Sequence, residues 1–267
     1  MGDPAILAHR LDGEGETVLL LNGGMMSIAS WDPVAQRLQS RYRLLRCDFR
    51  GQLLVPGAAH RELAGNVDDL VVLLDELAVE RVHVLGASFG AEVGLLLAAI
   101  HPERVRSLVA VTATDYATEP LQQGTERLRT IVEDVRRGGE RGRFHDALVA
   151  EVYSAAYLLS HRQELQARRA QMAALPEVWF EGLEGILAST ATLELRPHLG
   201  RIRCPSLVII AGDDRVMPVE RSRALAAAIG AEVAELAGSG HALAAEQPEW
   251  LAQRCLAFLD RQTAPPT

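Results

Sequence analysis

The stretch Val82-His83-Val84-Leu85-Gly86-Ala87-Ser88-Phe89-Gly90 constrains this chain more than any other. A short apolar run with β-branched residues ends at Gly86, and Ser88 stands between Gly86 and Gly90. A run of helix formers, Ala91 to Ala99, follows at once. Gly-x-Ser-x-Gly between a strand and a helix is the pattern of a nucleophile elbow. The turn forces the serine backbone into a strained conformation, and a Cβ two positions to either side would collide with strand or helix. The hydroxyl is lifted above the sheet edge, with a helix N-terminus behind it that favours developing negative charge. At ordinary Gly and Ser usage the pattern alone arises by chance in roughly one chain in ten of this length. Its weight therefore rests on context and on partners elsewhere in the chain.

The 267 residues suffice for one large α/β domain, or for a core carrying an inserted subdomain. A net charge of −8 argues against nucleic acid or an anionic membrane as the main partner. Three cysteines, Cys47, Cys204 and Cys255, lie far apart and fit neither a disulfide framework nor a C-x-x-C metal site. They read as small buried hydrophobes. The start MGDPAILAHR has no signal-peptide layout, and no apolar run reaches the ~20 residues of a membrane span. A cytoplasmic protein is expected. No metal-ligand spacing or phosphate-binding loop stands out, so neither metal nor cofactor is expected.

Strand and helix signals alternate along most of the chain, which implies parallel pairing with right-handed crossovers. Residues 5–20 read as a first strand, a turn at Asp12 to Glu16, and the buried strand Thr17 to Leu21. Further strands are expected from Arg43 to Asp48, through Val82 to Gly86, at Ser107 to Thr112, at Leu207 to Ile210 and at Glu232 to Leu236. Val67, Leu70, Val71, Leu74 and Leu77 recur at helical spacing. Between Thr114 and Pro205 the alternation stops. Leu128, Ile131, Val132 and Val135 mark one helix there. Leu148, Val149, Val152, Tyr153, Ala156 and Tyr157 mark a second, and Leu183, Ile186 and Leu187 a last. The aromatic residues Phe144, Tyr153, Tyr157, Trp179 and Phe180 read as the core of this helical segment rather than a substrate wall.

Three reactive side chains stand at strand C-terminal ends, where open parallel sheets place their sites: Ser88, Asp214 and His241. Their order is the one used by α/β-hydrolases. The chain resembles that superfamily over nearly its whole length, with D-x-x-x-P at Asp214 to Pro218 and G-x-G-H at Gly238 to His241. The resemblance implies an α/β-hydrolase fold: a mostly parallel central sheet flanked by helices, with an inserted helical cap. Residues 1–116 and 198–267 then form the core and residues 117–197 the cap. It also implies an oxyanion hole from the main-chain N–H of Phe89 and of Gly24, with Met25 the second choice for the latter. The family's usual His-Gly in that loop is replaced by Asn22-Gly23. The family's D-x-R-G turn is present as Asp48-Phe49-Arg50-Gly51, where Asp48 and Arg50 are expected to pair structurally. It continues Gln52-Leu53-Leu54 rather than Gly-x-Ser.

The expected chemistry is acyl transfer. His241 takes the Ser88 proton as the hydroxyl attacks a carbonyl, and Asp214 fixes the imidazole tautomer and stabilises the imidazolium. Asp115, after the strand ending at Thr112, is a rival for the acid, because some members of the superfamily take it from that place. Asp213 reads as solvent-facing, and His9, His60, His83, His101, His145, His161 and His198 read as structural or solvated. The substrate expected is a small or medium, largely apolar carboxylic ester, thioester or lactone. Met25 and Met26 suggest an adaptable apolar acyl site. Carbon–carbon bond hydrolysis and cofactor-free perhydrolysis are the enzymatic alternatives, and a ligand-binding α/β-hydrolase-like protein is the non-enzymatic one. Oligomeric state leaves no mark in the sequence.

Overall fold

The computed structural model describes residues 7–263. The start of the expected first strand and the end of the C-terminal tail lie outside the described residues. Seven strands form one sheet: β1 (His9–Asp12), β2 (Thr17–Leu21), β3 (Arg43–Cys47), β4 (Val82–Ala87), β5 (Val105–Val111), β6 (Ser206–Ala211) and β7 (Glu232–Leu236). Their order is β1-β3-β2-β4-β5-β6-β7. Only β1 runs antiparallel, against β3, and every other neighbouring pair is parallel.

The helices that cover the sheet in the N-terminal half are α1 (Asp32–Leu38), α2 (Leu63–Glu76) and α3 (Phe89–Ile100). Five more follow β5: α4 (Glu119–Arg136), α5 (Gly142–Val152), α6 (Ala155–Ser160), α7 (Arg162–Ala173) and α8 (Glu177–Ala191). The short α9 (Arg196–Leu199) leads into β6, and α10 (Val219–Ile229), α11 (Leu243–Glu246) and α12 (Pro248–Leu259) follow.

Strand residues alternate between two core layers, because successive side chains point to opposite faces. Val18 and Leu20 pack with Val34 and Leu38 of α1 and with Leu251 and Phe258 of α12. Leu19 and Leu21 pack with Leu70 and Leu74 of α2 and with Leu95 of α3. Covered on both faces, such strands read as continuous apolar runs. The edge strand β7 is different: Glu232, Val233 and Glu235 are exposed, and its charges discourage pairing with another chain. Cys47 and Cys255 are buried, Cys204 is partly buried, and all three are free thiols.

The segment between β5 and β6 departs from the three helices expected. Tyr153 is extended (φ −101°, ψ 148°) and splits the second one, and Ser154 Oγ then caps α6 by accepting from Tyr157 N at 3.3 Å. Helix α7 buries only Leu165, so it has no apolar stripe to announce it. Phe144 and Phe180 are core residues of this segment, as expected. The D-x-R-G turn also differs from expectation. Arg50 does not pair with Asp48 but donates to Asp69 of α2 at 2.7 and 3.1 Å.

Candidate active site

Ser88 follows β4 directly and is the residue before α3. Its backbone has φ 49° and ψ −122°, a conformation L-residues rarely adopt and that costs of order 1–3 kcal/mol. Ser88 N donates to Val111 O at 2.9 Å, and Ser88 O accepts from Ala91 N at 2.7 Å and Glu92 N at 3.0 Å. Both neighbouring glycines are required sterically. A Cβ on Gly86 would stand 2.5 Å from Gly90 O, and one on Gly90 would stand 2.6 Å from Asn22 O.

His241 Nε2 lies 2.9 Å from Ser88 Oγ, and His241 Nδ1 lies 2.8 Å from Asp214 Oδ2. The other carboxylate oxygen of Asp214 accepts from Val216 N and Met217 N, each at 2.8 Å. The D-x-x-x-P turn therefore aims the acid by its own backbone. Burial pushes the His241 pKa down, but the charge and hydrogen bond of Asp214 outweigh it and leave it raised. Asp115 does not reach the histidine. Its carboxylate is held by Arg221 of α10 at 2.6 and 2.7 Å. Asp213 is exposed.

The loop after β2 turns at Gly23 to Met26, closed by Met26 N donating to Gly23 O at 3.0 Å. Asn22, where the family pattern has His, is buried and satisfied. Its Nδ2 donates to Asp48 Oδ1 at 2.9 Å and Gln52 Oε1 at 3.0 Å, and its Oδ1 accepts from Trp31 Nε1 at 2.9 Å. Gln52, from the departing continuation of the D-x-R-G turn, reaches underneath. Its Nε2 donates to Gly23 O at 2.8 Å and Gly24 O at 3.2 Å. With both carbonyls turned down onto Gln52, the N–H groups of Gly24 and Met25 remain without a partner among the described residues, as does that of Phe89 at the start of α3. Met25 packs against the helical segment's core, whereas Met26 packs on the sheet side and its Sδ accepts from Gly23 N at 3.2 Å.

Ser88, His241 and these loop residues line a cavity of about 930 Å³, with Met25 and Met26 in its wall. The far wall comes from α4 to α8, including Leu128, Leu148, Tyr153, Tyr157 and Trp179. The α5–α6 junction is bonded to both loops beneath it. Ala242 N donates to Val152 O at 2.8 Å, and Arg215 Nη2 donates to Tyr153 O at 2.6 Å. Glu246 Oε1 accepts from Ser154 N at 2.7 Å and from Gly240 N at 3.2 Å. Sequence reasoning marked Gln52 only as part of an unusual continuation of the turn, with no role of its own, and missed Glu246 and Glu92. The last is a fully buried carboxyl on α3, one turn after Ser88, whose oxygens have no partner among the described residues. Among the described residues no helix is long and apolar enough to cross a membrane.

Such a sheet, with an elbow serine after β4 facing a histidine that follows β7 and an acid that follows β6, defines an α/β hydrolase scaffold. Residues 16–248 match the family model described as the alpha/beta hydrolase fold, and the chain belongs to that family. It is 29% identical over 272 residues to "Putative carbamate hydrolase RutD" of Caulobacter sp. (strain K31), covering 97% of both chains. A hydrolase from Pseudomonas aeruginosa PA01 superposes with a TM-score of 0.82 at 29% identity, over 95% of this chain and 94% of that one. The enol-lactonase from Burkholderia xenovorans LB400 superposes with a TM-score of 0.83 at 24% identity, over 95% of this chain and 96% of that one, and shows the shared fold.

Proposed function

We propose that the protein is a serine hydrolase that cleaves a small or medium, largely apolar carboxylic ester, thioester or lactone through an acyl-enzyme on Ser88. The observation that carries this reading is the unbroken chain Ser88 Oγ, His241 Nε2, His241 Nδ1, Asp214 Oδ2, with contacts of 2.9 and 2.8 Å. Ser88 Oγ attacks the carbonyl carbon and passes its proton to His241 Nε2 while Asp214 stabilises the imidazolium. The negative oxygen that forms is received by the N–H groups of Phe89 and Gly24, each donor of this kind being worth ~3 kcal/mol. Collapse breaks the bond to the leaving group, which takes the proton from His241. Water activated by the same histidine then hydrolyses the acyl-enzyme. The helices of residues 117–197 act as a cap over the cavity, and the apolar side chains lining it, Met25 among them, favour an apolar acyl group. The protein works in the cytoplasm on a free small molecule and needs no metal or cofactor for these steps.

A carbamate undergoes the same attack at its carbonyl, and the name carried by the Caulobacter relative brings carbamates into the substrate panel. The test is a fluorophosphonate, with hydrolysis of short activated esters measured alongside. Stoichiometric labelling at Ser88, and loss of nearly all turnover in Ser88→Ala, is the result expected. Turnover retained by Ser88→Ala, or labelling only at another residue, overturns the mechanism.

A further inference from the structure

Thr112 follows β5 directly and stands beside the nucleophile. Ala87 of β4 pairs with Val111 of β5, and Ser88 N donates to Val111 O at 2.9 Å, so the next residue of each chain segment lies at the same edge. Neighbouring strands run ~4.8 Å apart, which brings Thr112 within reach of the reaction centre. Its backbone has φ 48°. Among the described non-glycine residues only Ser88 and Ala78 share a positive φ, and Thr112 is the β-branched one of the three. A branched Cβ fits that region poorly, and such strain gathers where a site holds a side chain against its preference. The residue is 2% exposed. Its Oγ1 has no hydrogen-bond partner among the described residues, yet it is not one of the unpaired polar atoms sealed from water. Thr112 lines the cavity, and the hydroxyl therefore opens into it. Other buried hydroxyls are spent inside the protein. Ser107 Oγ lies 2.8 Å from His83 Nδ1, and Ser222 Oγ donates to Ala113 O at 2.7 Å. Thr125 also lines the cavity with an unpaired hydroxyl, but it belongs to α4 and has no such tie to Ser88.

We propose that Thr112 is a substrate-recognition residue whose hydroxyl bonds to an oxygen on the carbon next to the scissile carbonyl, making 2-hydroxy acids the preferred acyl class. This inference rests on the acyl-enzyme reading of the site. The carbonyl carbon attacked by Ser88 has three other substituents. Its oxygen turns to the N–H groups of Gly24 and Phe89, and the Gly24 loop follows β2. The leaving group lies at His241 Nε2, which hands it the proton. The acyl carbon is what remains, and β5 borders β4 on the side away from β2. The first atoms of the acyl chain thus pass over the end of β5, where Thr112 stands. A threonine hydroxyl both donates and accepts, so it pairs with a substrate hydroxyl in either sense. Val111 and Met217, from the same edge of the sheet, give the cavity apolar side chains. A plain acyl chain therefore leaves the Thr112 hydroxyl unpaired in a dry wall, which is penalised.

The test compares phenyl esters of butanoic, hexanoic and octanoic acid, each plain or bearing a 2-hydroxyl of either configuration. Wild type and Thr112→Val are assayed on each pair; valine keeps the branched shape and removes only the hydroxyl. The quantity read is kcat/KM for the hydroxy ester divided by kcat/KM for the plain one. One net hydrogen bond predicts a ratio roughly fivefold to tenfold higher in wild type than in Thr112→Val, for one configuration at the fitting chain length. Thr112→Ser and Thr112→Ala repeat the comparison without the branched side chain, and the serine variant should show the higher ratio. Comparing ratios between proteins cancels the intrinsic reactivity of each ester and any general loss of activity. Equal ratios with and without the hydroxyl overturn the proposal. If no ester is cleaved at all, the ester reading fails and recognition is read without turnover. Titration calorimetry then measures ethyl octanoate and ethyl 2-hydroxyoctanoate on Ser88→Ala, with and without Thr112→Val. The affinity gained from the 2-hydroxyl should shrink roughly fivefold to tenfold when Thr112→Val is added. An unchanged gain, or no binding of the hydroxy ester, overturns the proposal.

Discussion

Asp214 Oδ2 stands 2.8 Å from His241 Nδ1, although 27 residues and a whole helix–strand unit separate the two in the chain. Neighbouring parallel strands, β6 and β7, end side by side, so the loops that follow them meet. Asp115 follows β5 on the other side of β6 and is held by Arg221 instead.

Asparagine at each position separates the two acids. Asp214→Asn should lower kcat by orders of magnitude, on the pattern of the ~10⁴ loss in serine-protease triads, without unfolding the protein. Asp115→Asn breaks a buried ion pair and should lower the melting temperature while leaving far more of kcat. Paired kcat and melting measurements check this, and the opposite distribution of effects would return the acid role to Asp115.

The pH dependence follows from His241. A general base works only when neutral, and its folded pKa is raised above the ordinary 6.5 by Asp214. Activity should therefore be lost as pH falls through an apparent pKa above 6.5, visible in a kcat/KM profile. Asp214→Asn removes the raising charge and should move that limb to lower pH.

Gln52 gives a test of the loop that is separate from the triad. Gln52→Glu keeps the shape and can still accept from Asn22 and Phe49, but it cannot donate to the carbonyls of Gly23 and Gly24. Because Gln52 acts through the loop, the cost should be smaller than deleting an oxyanion donor, roughly tenfold in kcat. Fluorophosphonate labelling should slow in parallel. Labelling at the wild-type rate would show that the loop holds its shape without this amide.

Glu92 predicts a stability profile. Burial pushes its carboxyl up from 4.5 to about 8, outweighing the opposing effects of His241 and the Thr114 backbone. Between those values the folded state holds a proton that the unfolded chain has released, so stability should fall as pH rises from 4.5 towards 8. Glu92→Gln removes that dependence and should add a few kcal/mol of unfolding free energy at pH 8 and far less at pH 5. Urea titrations at both pH values measure it. An unchanged slope between them would mean that the carboxyl is not buried neutral.

Much of this protein was legible in its sequence because the signals are local. The elbow declares itself through Gly86 and Gly90, whose missing side chains leave room for Gly90 O and Asn22 O. The parallel sheet shows in apolar strands such as Thr17–Leu21 that alternate with helices, since covering both faces removes the polar positions. The positions of Ser88, Asp214 and His241 after β4, β6 and β7 follow from the same alternation. What the tertiary structure alone decided are the contacts across that frame. Asp115 and Asp214 look alike as acids after a strand, and only the placement of Arg221 and His241 divides them. Gln52 is an ordinary polar residue until the loop of Gly23 and Gly24 lies over it. Tyr153 continues a helical pattern in sequence but is extended, where the carbonyls of Val152 and Tyr153 meet Ala242 and Arg215. Helix α7 is polar on nearly every side and has no periodicity to read. Local patterns report which face of an element is buried, whereas the partner of a particular polar atom depends on residues tens of positions away.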